Sequence, residues 1–343
     1  MKVANAMGQV SKASRGRKIF KTLWRLLLLL LIVLVVFAII SPTPTSMLIR
    51  FAFRNGVAVA PDNYERIESR VTAFKDLTYP SKFEGNLADI YVPKDEEGPF
   101  PVVIWVHGGA FVGGDKKDIE IYATSLANEG FVVVCMNYRL APEAKYPTPI
   151  VQTEEVYLWL KDIADTYSMD MYRLVLAGDS AGAHIVAQFA AIQSNDSYAT
   201  EMKFEQKVPL ETLKALLLYC GPYDVSKITV GSNGILNFFL SRAAWAYFGV
   251  RGWVGVFSEQ ATISKHITSQ FPPTFITDGN TASFEEHGLE LANALEQKNV
   301  MVETYFIPLD VERTAHEYQF IMNTPSGEES FIRTVEFLRR YTE

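Results

Sequence analysis

The feature that most constrains this chain is the pentapeptide Gly178-Asp179-Ser180-Ala181-Gly182. It follows the apolar run at residues 173–177, which predicts a buried strand, and precedes small residues that predict a helix. A strand that enters a helix through Gly-x-Ser-x-Gly places its serine on a sharp, strained turn with glycine-sized neighbours. The alternative is an ordinary strand–turn–helix corner, but the pattern favours Ser180 as an exposed nucleophile.

A glycine-rich loop upstream supplies a partner for this motif. Residues 101–106 predict a fully buried strand, which runs directly into His107-Gly108-Gly109. Backbone N–H groups of such a loop can converge on the negative oxygen of an acyl-transfer intermediate. We expect Gly108 and Gly109 to be two of these donors and Ala181, which follows the serine, to be the third.

Together with the segments NYRLAPE (137–143) and Tyr146-Pro147, these motifs resemble the hormone-sensitive-lipase-like (HGG-type) α/β-hydrolase carboxylesterases. The resemblance runs from about residue 85 to the C-terminus. It implies an α/β-hydrolase fold with a mostly parallel eight-stranded sheet, flanking helices and a cap. It also implies a Ser-His-acid triad without metal or organic cofactor. The implied reaction is hydrolysis of short- to medium-chain carboxylic esters, with a small-molecule ester as the partner.

His316 is the expected general base among five histidines. It follows the last predicted strand by some nine residues, and the resemblance implies a histidine over the serine at this point. A neutral imidazole there can accept the Ser180 proton and return it to the leaving alcohol. The other four histidines lie in the glycine loop, in two helices and in the presumed cap: His107, His184, His287 and His266.

The acid departs from the family pattern, because Ala282 occupies the position where related sequences carry aspartate. We choose Asp278 as the third catalytic residue, since an aspartate that ends a buried strand is costly unless it is paired. A carboxylate in the first helical turn also has a structural role in complementing the helix dipole. The other acids that stay open are Glu285, Glu286, Asp224 and Asp310.

Strands and helices alternate along the chain, which predicts a parallel sheet with crossovers. We expect one α/β-hydrolase domain over residues 46–343, with cap segments at about 46–75 and 225–267. The predicted strands lie at 87–92, 101–106, 131–136, 173–177, 215–219, 273–277 and 302–307. The predicted helices lie at 151–162, 284–295 and 329–341.

Residues 1–45 form a separate segment. Residues 26–40 contain no polar side chain, and seven basic residues but no acidic one precede them. This pattern predicts a cytoplasmic basic arm and an uncleaved transmembrane signal anchor. The hydrolase would then lie outside the cytoplasm, on the cell membrane. A cleaved signal peptide and a secreted enzyme are the alternative, because the apolar run is short.

Composition narrows the function classes. The net charge is −7, with no basic excess beyond the N-terminus, which excludes a nucleic-acid-binding protein. Cys135 and Cys220 lie in or beside apolar runs and are expected to be buried filler, not metal ligands. Two alternatives stay open: a deacetylase of acetylated polysaccharide, and a non-catalytic binding protein on a hydrolase fold. The sequence does not indicate an oligomeric state.

Overall fold

The computed structural model describes residues 2–94, 96–228 and 233–343, with side chains from residue 17 onward. The chain forms two compact units, Met1–Thr45 and Ser46–Glu343. The assignment of the first unit to a cytoplasmic arm and a membrane anchor stays a prediction.

The first unit is dominated by one long helix, α1 (Lys2–Ile40). Its segment Arg17–Ile40 has 24 residues, and the most apolar 18-residue stretch of that segment has a mean hydropathy of 3.1; the side chains are exposed. A helix of this length and composition can cross a membrane, and an N-terminal signal sequence meets the same criteria.

The second unit is built on an eight-stranded sheet, which confirms the expected fold class. The strand order is β1-β2-β4-β3-β5-β6-β7-β8, and β2 pairs antiparallel with both β1 and β4, while the remaining neighbours are parallel. The strands are β1 (Val71–Thr78), β2 (Leu87–Pro93), β3 (Phe100–Val106), β4 (Val132–Met136), β5 (Met169–Asp179), β6 (Leu213–Tyr219), β7 (Thr274–Asp278) and β8 (Val302–Phe306).

Helices cover both faces of this sheet and its edge at the carboxyl ends of the strands. The helices of the second unit and its junction are α2 (Thr43–Ala52), α3 (Tyr64–Ser69), α4 (Glu120–Asn128), α5 (Thr148–Ile163), α6 (Ala181–Gln193), α7 (Asp196–Met202), α8 (Gly234–Phe248), α9 (Trp253–Ala261), α10 (Glu285–Gln297) and α11 (Pro325–Thr342).

The central strands are apolar because both of their faces are buried. Every residue of β3 and β4 is buried, as expected for strands of a parallel sheet that is covered by helices on both sides. Alternate residues of β3 enter two different cores, with Ile104 on one side of the sheet and Trp105 on the other. The packed sheet fixes the carboxyl ends of β3, β5 and β7, where the site residues begin.

One predicted boundary is wrong. Residues 71–75 were expected within the first cap segment but belong to β1, which pairs with β2 at the sheet edge. Lys75 and Asp76 lie at an irregularity of this strand, where its pairing register with β2 shifts between Phe74 and Leu77. These two polar residues interrupt the alternation of side chains that would otherwise predict a strand. In the second segment, 225–267, the structure has α8 and α9, while residues 229–232 lie outside the described residues.

Candidate active site

Ser180 lies on a sharp turn between β5, which ends at Asp179, and α6, which begins at Ala181. Its φ of 48° and ψ of −116° are strained for a residue with a side chain. Glycines make the turn possible, since a Cβ on Gly178 would lie 2.5 Å from the carbonyl carbon of Gly182. The strand–turn–helix expected from the pentapeptide is therefore present.

His316 reaches the serine from the loop after β8. Its Nε2 lies 3.0 Å from Ser180 Oγ, which is hydrogen-bonding distance. Ser180 is 7% exposed and the His316 side chain 29% exposed, so the pair is sheltered but open to a small ligand. A neutral imidazole in this position can remove the hydroxyl proton.

A second serine contacts the other side of the imidazole. Ser283 Oγ lies 2.6 Å from His316 Nδ1 and also hydrogen-bonds to Oδ1 of Asp278, the last residue of β7. The structure thus brings Asp278 to the site, but through a bridging hydroxyl instead of a direct contact. Sequence reasoning missed Ser283, although a hydroxyl directly after Ala282 was a visible signal.

The remaining candidate acids are not hydrogen-bonded to His316 within the described residues. The Asp224 carboxylate instead accepts from Ser226 and from Thr262. Glu285 and Glu286 begin α10, where they fit the role of complementing the helix dipole.

Burial sets the protonation of this group of residues. It raises the pKa of Asp278 from 3.8 to about 7, although hydrogen bonding by Ser283 opposes the shift. Asp278 Oδ2 has no hydrogen-bond partner in the described structure, which adds to the cost of ionisation. Burial also lowers the pKa of His316 to about 4. Near neutral pH the imidazole is therefore uncharged, while Asp278 is close to its midpoint.

One of the three expected oxyanion donors, the N–H of Gly108, is not free to bind an oxyanion. The backbone N–H of Gly108 donates to Asp179 Oδ2 at 2.7 Å, so it is already engaged. The N–H groups of Gly109 and Ala181 make no hydrogen bond in the described part of the chain. Ala110, the next residue of the loop, lines the same cleft as Ser180 and has an equally unengaged N–H.

Asp179 holds this loop in place through a buried carboxyl pair. Its other oxygen, Oδ1, accepts the indole N–H of Trp105 at 2.8 Å, and its carboxylate hydrogen-bonds to Glu317. Burial raises the pKa of both carboxyl groups, and repulsion by Asp179 raises the pKa of Glu317 further. One shared proton, held by Glu317, satisfies the pair. Sequence reasoning assigned neither residue a role.

These residues border a cleft of about 330 Å³. Its walls come from the glycine loop after β3, the end of α2, the first turns of α8 and the His316 loop. The lining residues are Ala52, Phe53, Gly56, Val57, His107, Gly108, Gly109, Ala110, Gly114, Asp118, Ile119, Asp179, Ser180, Leu236, Leu240, Ala282, Phe284, His316, Glu317 and Phe320.

One group of potential metal ligands lies beside the serine. Among the described residues, ligand atoms of Cys220, Asp278 and His316 lie within 4.8 Å of one another. Burial raises the pKa of the Cys220 thiol well above its usual value, which opposes the thiolate form that binds metals. The Ser283 hydroxyl also hydrogen-bonds to Asp278 and to His316, so both side chains are already engaged. The three residues therefore do not fit a metal ion well. The expectation of a metal-free and cofactor-free site stays a prediction.

A serine on a strand–helix elbow, a glycine loop beside it and a histidine after the last strand define an α/β hydrolase of the HGG type. The chain belongs to the BD-FAE family, whose model matches residues 88–286. The expected relation to hormone-sensitive-lipase-like carboxylesterases is confirmed.

Individual proteins that are similar to this chain are named as esterases. Esterase LipC of Mycobacterium tuberculosis is 35% identical over 198 residues, which is 57% of this chain and 47% of LipC. A rice (Oryza sativa subsp. japonica) protein, "Probable isoprenylcysteine alpha-carbonyl methylesterase ICME", is 30% identical over 144 residues, 42% of this chain and 34% of that protein. The chain thus spans about half or less of the length of these relatives.

A solved structure shares the fold. Esterase B of Lactobacillus rhamnosis, inhibited by a C4-C4 tributyrin phosphonate, superposes with a TM-score of 0.69 at 18% identity. The match covers 88% of this chain and 92% of esterase B. At this identity the likeness shows the fold alone.

Proposed function

We propose that this protein is a serine carboxylesterase that hydrolyses short- to medium-chain carboxylic esters through an acyl-enzyme. The observation that carries the proposal is the 3.0 Å distance between His316 Nε2 and Ser180 Oγ at the base of an open cleft. In this account Ser180 attacks the ester carbonyl, and His316 takes its proton and then gives it to the departing alcohol.

Ser283 and Asp278 orient the base. A serine hydroxyl has one proton, so Ser283 can donate to only one of its two partners. When Asp278 is ionised, Ser283 donates to the carboxylate, and its oxygen accepts the N–H of His316 Nδ1. That tautomer leaves the Nε2 lone pair facing Ser180, as a general base requires. Asp278 therefore acts on His316 through the Ser283 hydroxyl.

The backbone stabilises the charge that this attack creates. We assign the oxyanion donors to the N–H groups of Gly109 and Ala181, with Ala110 in the place first given to Gly108. Donors that are fixed before reaction stabilise the developing oxyanion without reorganisation. After the alcohol leaves, a water molecule that is activated by His316 cleaves the acyl-Ser180 ester by the same steps.

The substrate range follows from the size and lining of the cleft. A volume of about 330 Å³ is at the lower end for ligand pockets, and most of the lining side chains are apolar. Both features favour short or medium acyl chains. The relatives that are named esterases, and the tributyrin phosphonate bound by esterase B, support an ester substrate of this kind.

We also propose that the protein is a single-pass membrane protein with its catalytic domain outside the cytoplasm. The apolar run at residues 26–40, within the helical segment Arg17–Ile40, and the seven basic residues before this run support this orientation. Alkaline carbonate extraction of cell membranes tests whether the chain is anchored. Retention of the intact chain in the pellet agrees with an anchor, whereas a shortened soluble protein indicates a cleaved signal peptide.

Ser180→Ala tests the enzymatic proposal directly. The variant should lose turnover of p-nitrophenyl butyrate by a factor of about 10⁴ or more, as when other serine nucleophiles are removed. Ser69→Ala, which removes an exposed hydroxyl in α3, is the matched control and should retain full activity. Undiminished turnover by Ser180→Ala would refute the proposal.

A further inference from the structure

Helix α2 exposes apolar side chains on the face that would normally be polar. Met47, Leu48 and Phe51 are 63%, 61% and 63% exposed, while Ser46 and Ile49 are buried against the domain. The helix is therefore packed through one face and apolar on the other. A cluster of large exposed apolar residues on a monomer marks a site of interaction.

The helices of the second cap segment show the same property. Ile235 and Phe238 of α8 are 75% and 50% exposed, and Val256 of α9 is 63% exposed. Helices α2 and α8 border the same cleft, since Phe53, just after α2, and Leu236 of α8 both line it. The exposed apolar residues therefore lie on the two helices that border the cleft and on α9, which contacts α8. We call Met47, Leu48, Phe51, Ile235, Phe238 and Val256 the entrance surface.

Arginine side chains lie over aromatic rings on and beside the entrance surface. Arg54 lies 4.3 Å from the ring centre of Phe51, Arg242 lies 5.1 Å from that of Phe238, and Arg251 lies 4.7 Å from that of Trp245. Arginines that flank apolar and aromatic side chains are typical of protein surfaces at membrane interfaces.

We propose that the entrance surface docks on the lipid bilayer, with its apolar side chains among the acyl chains and the exposed Arg54 and Arg251 at anionic headgroups. Continuity of the chain supports a bilayer as the occupant: the apolar segment Arg17–Ile40 ends only three residues before α2 begins at Thr43. Arg54 and Arg251 supply charge complementarity, because exposed basic side chains are attracted to the surface of an anionic membrane.

Docking would narrow the class of substrate. This step rests on the proposed esterase function: a cleft that opens toward the bilayer receives esters dissolved in the membrane. The substrates would then be apolar esters that partition into lipid, and short water-soluble esters would be poor competitors at equal total concentration.

A fluorescence experiment on the full chain in vesicles tests docking without using activity. An environment-sensitive dye is attached to Ile235→Cys on the entrance surface or, as a control, to Tyr172→Cys. Both native residues are 75% exposed, and Tyr172 is remote from the cleft in β5. The two native thiols are buried, so labelling is selective for the new cysteine. Position 235 is also far from the apolar helix in sequence, so proximity along the chain does not explain a positive result.

We expect the dye at position 235 to shift to shorter wavelength in vesicles that contain phosphatidylglycerol. It should lose roughly half or more of its emission when acyl chains are brominated, as a probe at the acyl boundary does. The dye at position 172 should show neither change. If the dyes at positions 235 and 172 show the same emission spectrum and the same quenching, the proposal is overturned. A blue shift at position 235 without quenching by brominated lipid would also overturn it, because the dye would then be shielded from water by something other than acyl chains.

Activity of the same samples separates the two proposals. If p-nitrophenyl butyrate is hydrolysed but position 235 is not quenched, docking fails and the esterase function stands. If position 235 is quenched but no ester is hydrolysed, docking stands and the esterase function fails.

Discussion

Ser283 Oγ lies 2.6 Å from Nδ1 of His316 and bonds to the Asp278 carboxylate on its other side. The hydroxyl fills the gap that arises because Ala282 replaces the acid expected at that position. Ala282 itself has a φ of 52°, a conformation that residues with side chains rarely adopt. The strained turn aims the next residue, Ser283, at the imidazole.

Ser283→Ala should lower kcat for p-nitrophenyl butyrate by about a hundredfold or more and leave KM nearly unchanged. Without the hydroxyl, neither the tautomer nor the orientation of His316 is fixed, and loss of the orienting acid costs about 10⁴-fold in serine proteases. Steady-state kinetics of the purified full chain in detergent measure the effect.

Ser283→Thr is the matched variant, because it retains the hydroxyl and adds only a methyl group. It should retain most of the activity that Ser283→Ala loses. If both variants behave like the native enzyme, Ser283 does not orient His316.

The pH dependence of kcat/KM should report Asp278. Burial raises the pKa of this carboxyl to about 7, and only its ionised form lets Ser283 accept from His316. We therefore expect kcat/KM to rise with pH through an inflection near 7. His316, whose pKa burial lowers to about 4, is already neutral across this range. Asp278→Asn should lower kcat/KM and remove the inflection. An inflection near 7 that persists in Asp278→Asn would assign it to another group.

The same carboxyl should make stability depend on pH. Its pKa is 3.8 in the unfolded reference and about 7 in the folded chain, so the folded state binds the proton more tightly. The stability from this group is fully present below pH 3.8 and is lost as pH rises to about 7. Relative to the native protein, Asp278→Asn should gain stability between these pH values, by at most about 4 kcal/mol. Denaturation of both proteins at pH 5 and pH 8 checks the sign, and an equal difference at both pH values would contradict it.

Asp179 should control activity through the glycine loop. Its two oxygens accept the N–H of Gly108 and the indole N–H of Trp105. An asparagine side chain has only one acceptor oxygen, so Asp179→Asn places an NH₂ group against one of these donors. We expect kcat to fall about ten- to a hundredfold, since loss of one oxyanion donor costs more than this.

Glu317→Gln provides the comparison for Asp179→Asn. A glutamine NH₂ group can donate to Asp179 as the protonated carboxyl does, so kcat should stay within about threefold of the native value. A larger fall in Glu317→Gln than in Asp179→Asn would show that the glutamate, and not the aspartate, supports the loop.

The elements that carry strong local patterns could be predicted from the sequence. β3 and β4 are continuous apolar runs because both faces are buried, and the turn at Ser180 is fixed by glycines that no larger residue could replace. β1 was missed because the strand at the sheet edge carries polar residues at a bulge.

The finer chemistry of the site depended on contacts that no local pattern encodes. The Gly108 N–H is engaged by Asp179, 71 residues away, and Ser283 meets His316 across 33 residues. Sequence spacing placed Asp278 at the end of one strand and His316 in the loop after another, but it could not show that a hydroxyl lies between them.

A double-variant cycle tests the relay of Asp278 through Ser283 to His316 most directly. The rate at which a fluorophosphonate labels Ser180 is measured by mass spectrometry for the native chain, Ser283→Ala, Asp278→Asn and the double variant. Because the two residues act as one unit, we expect the double variant to react about as slowly as the slower single variant. Losses that multiply in the double variant would show that the two residues act independently and would contradict the relay.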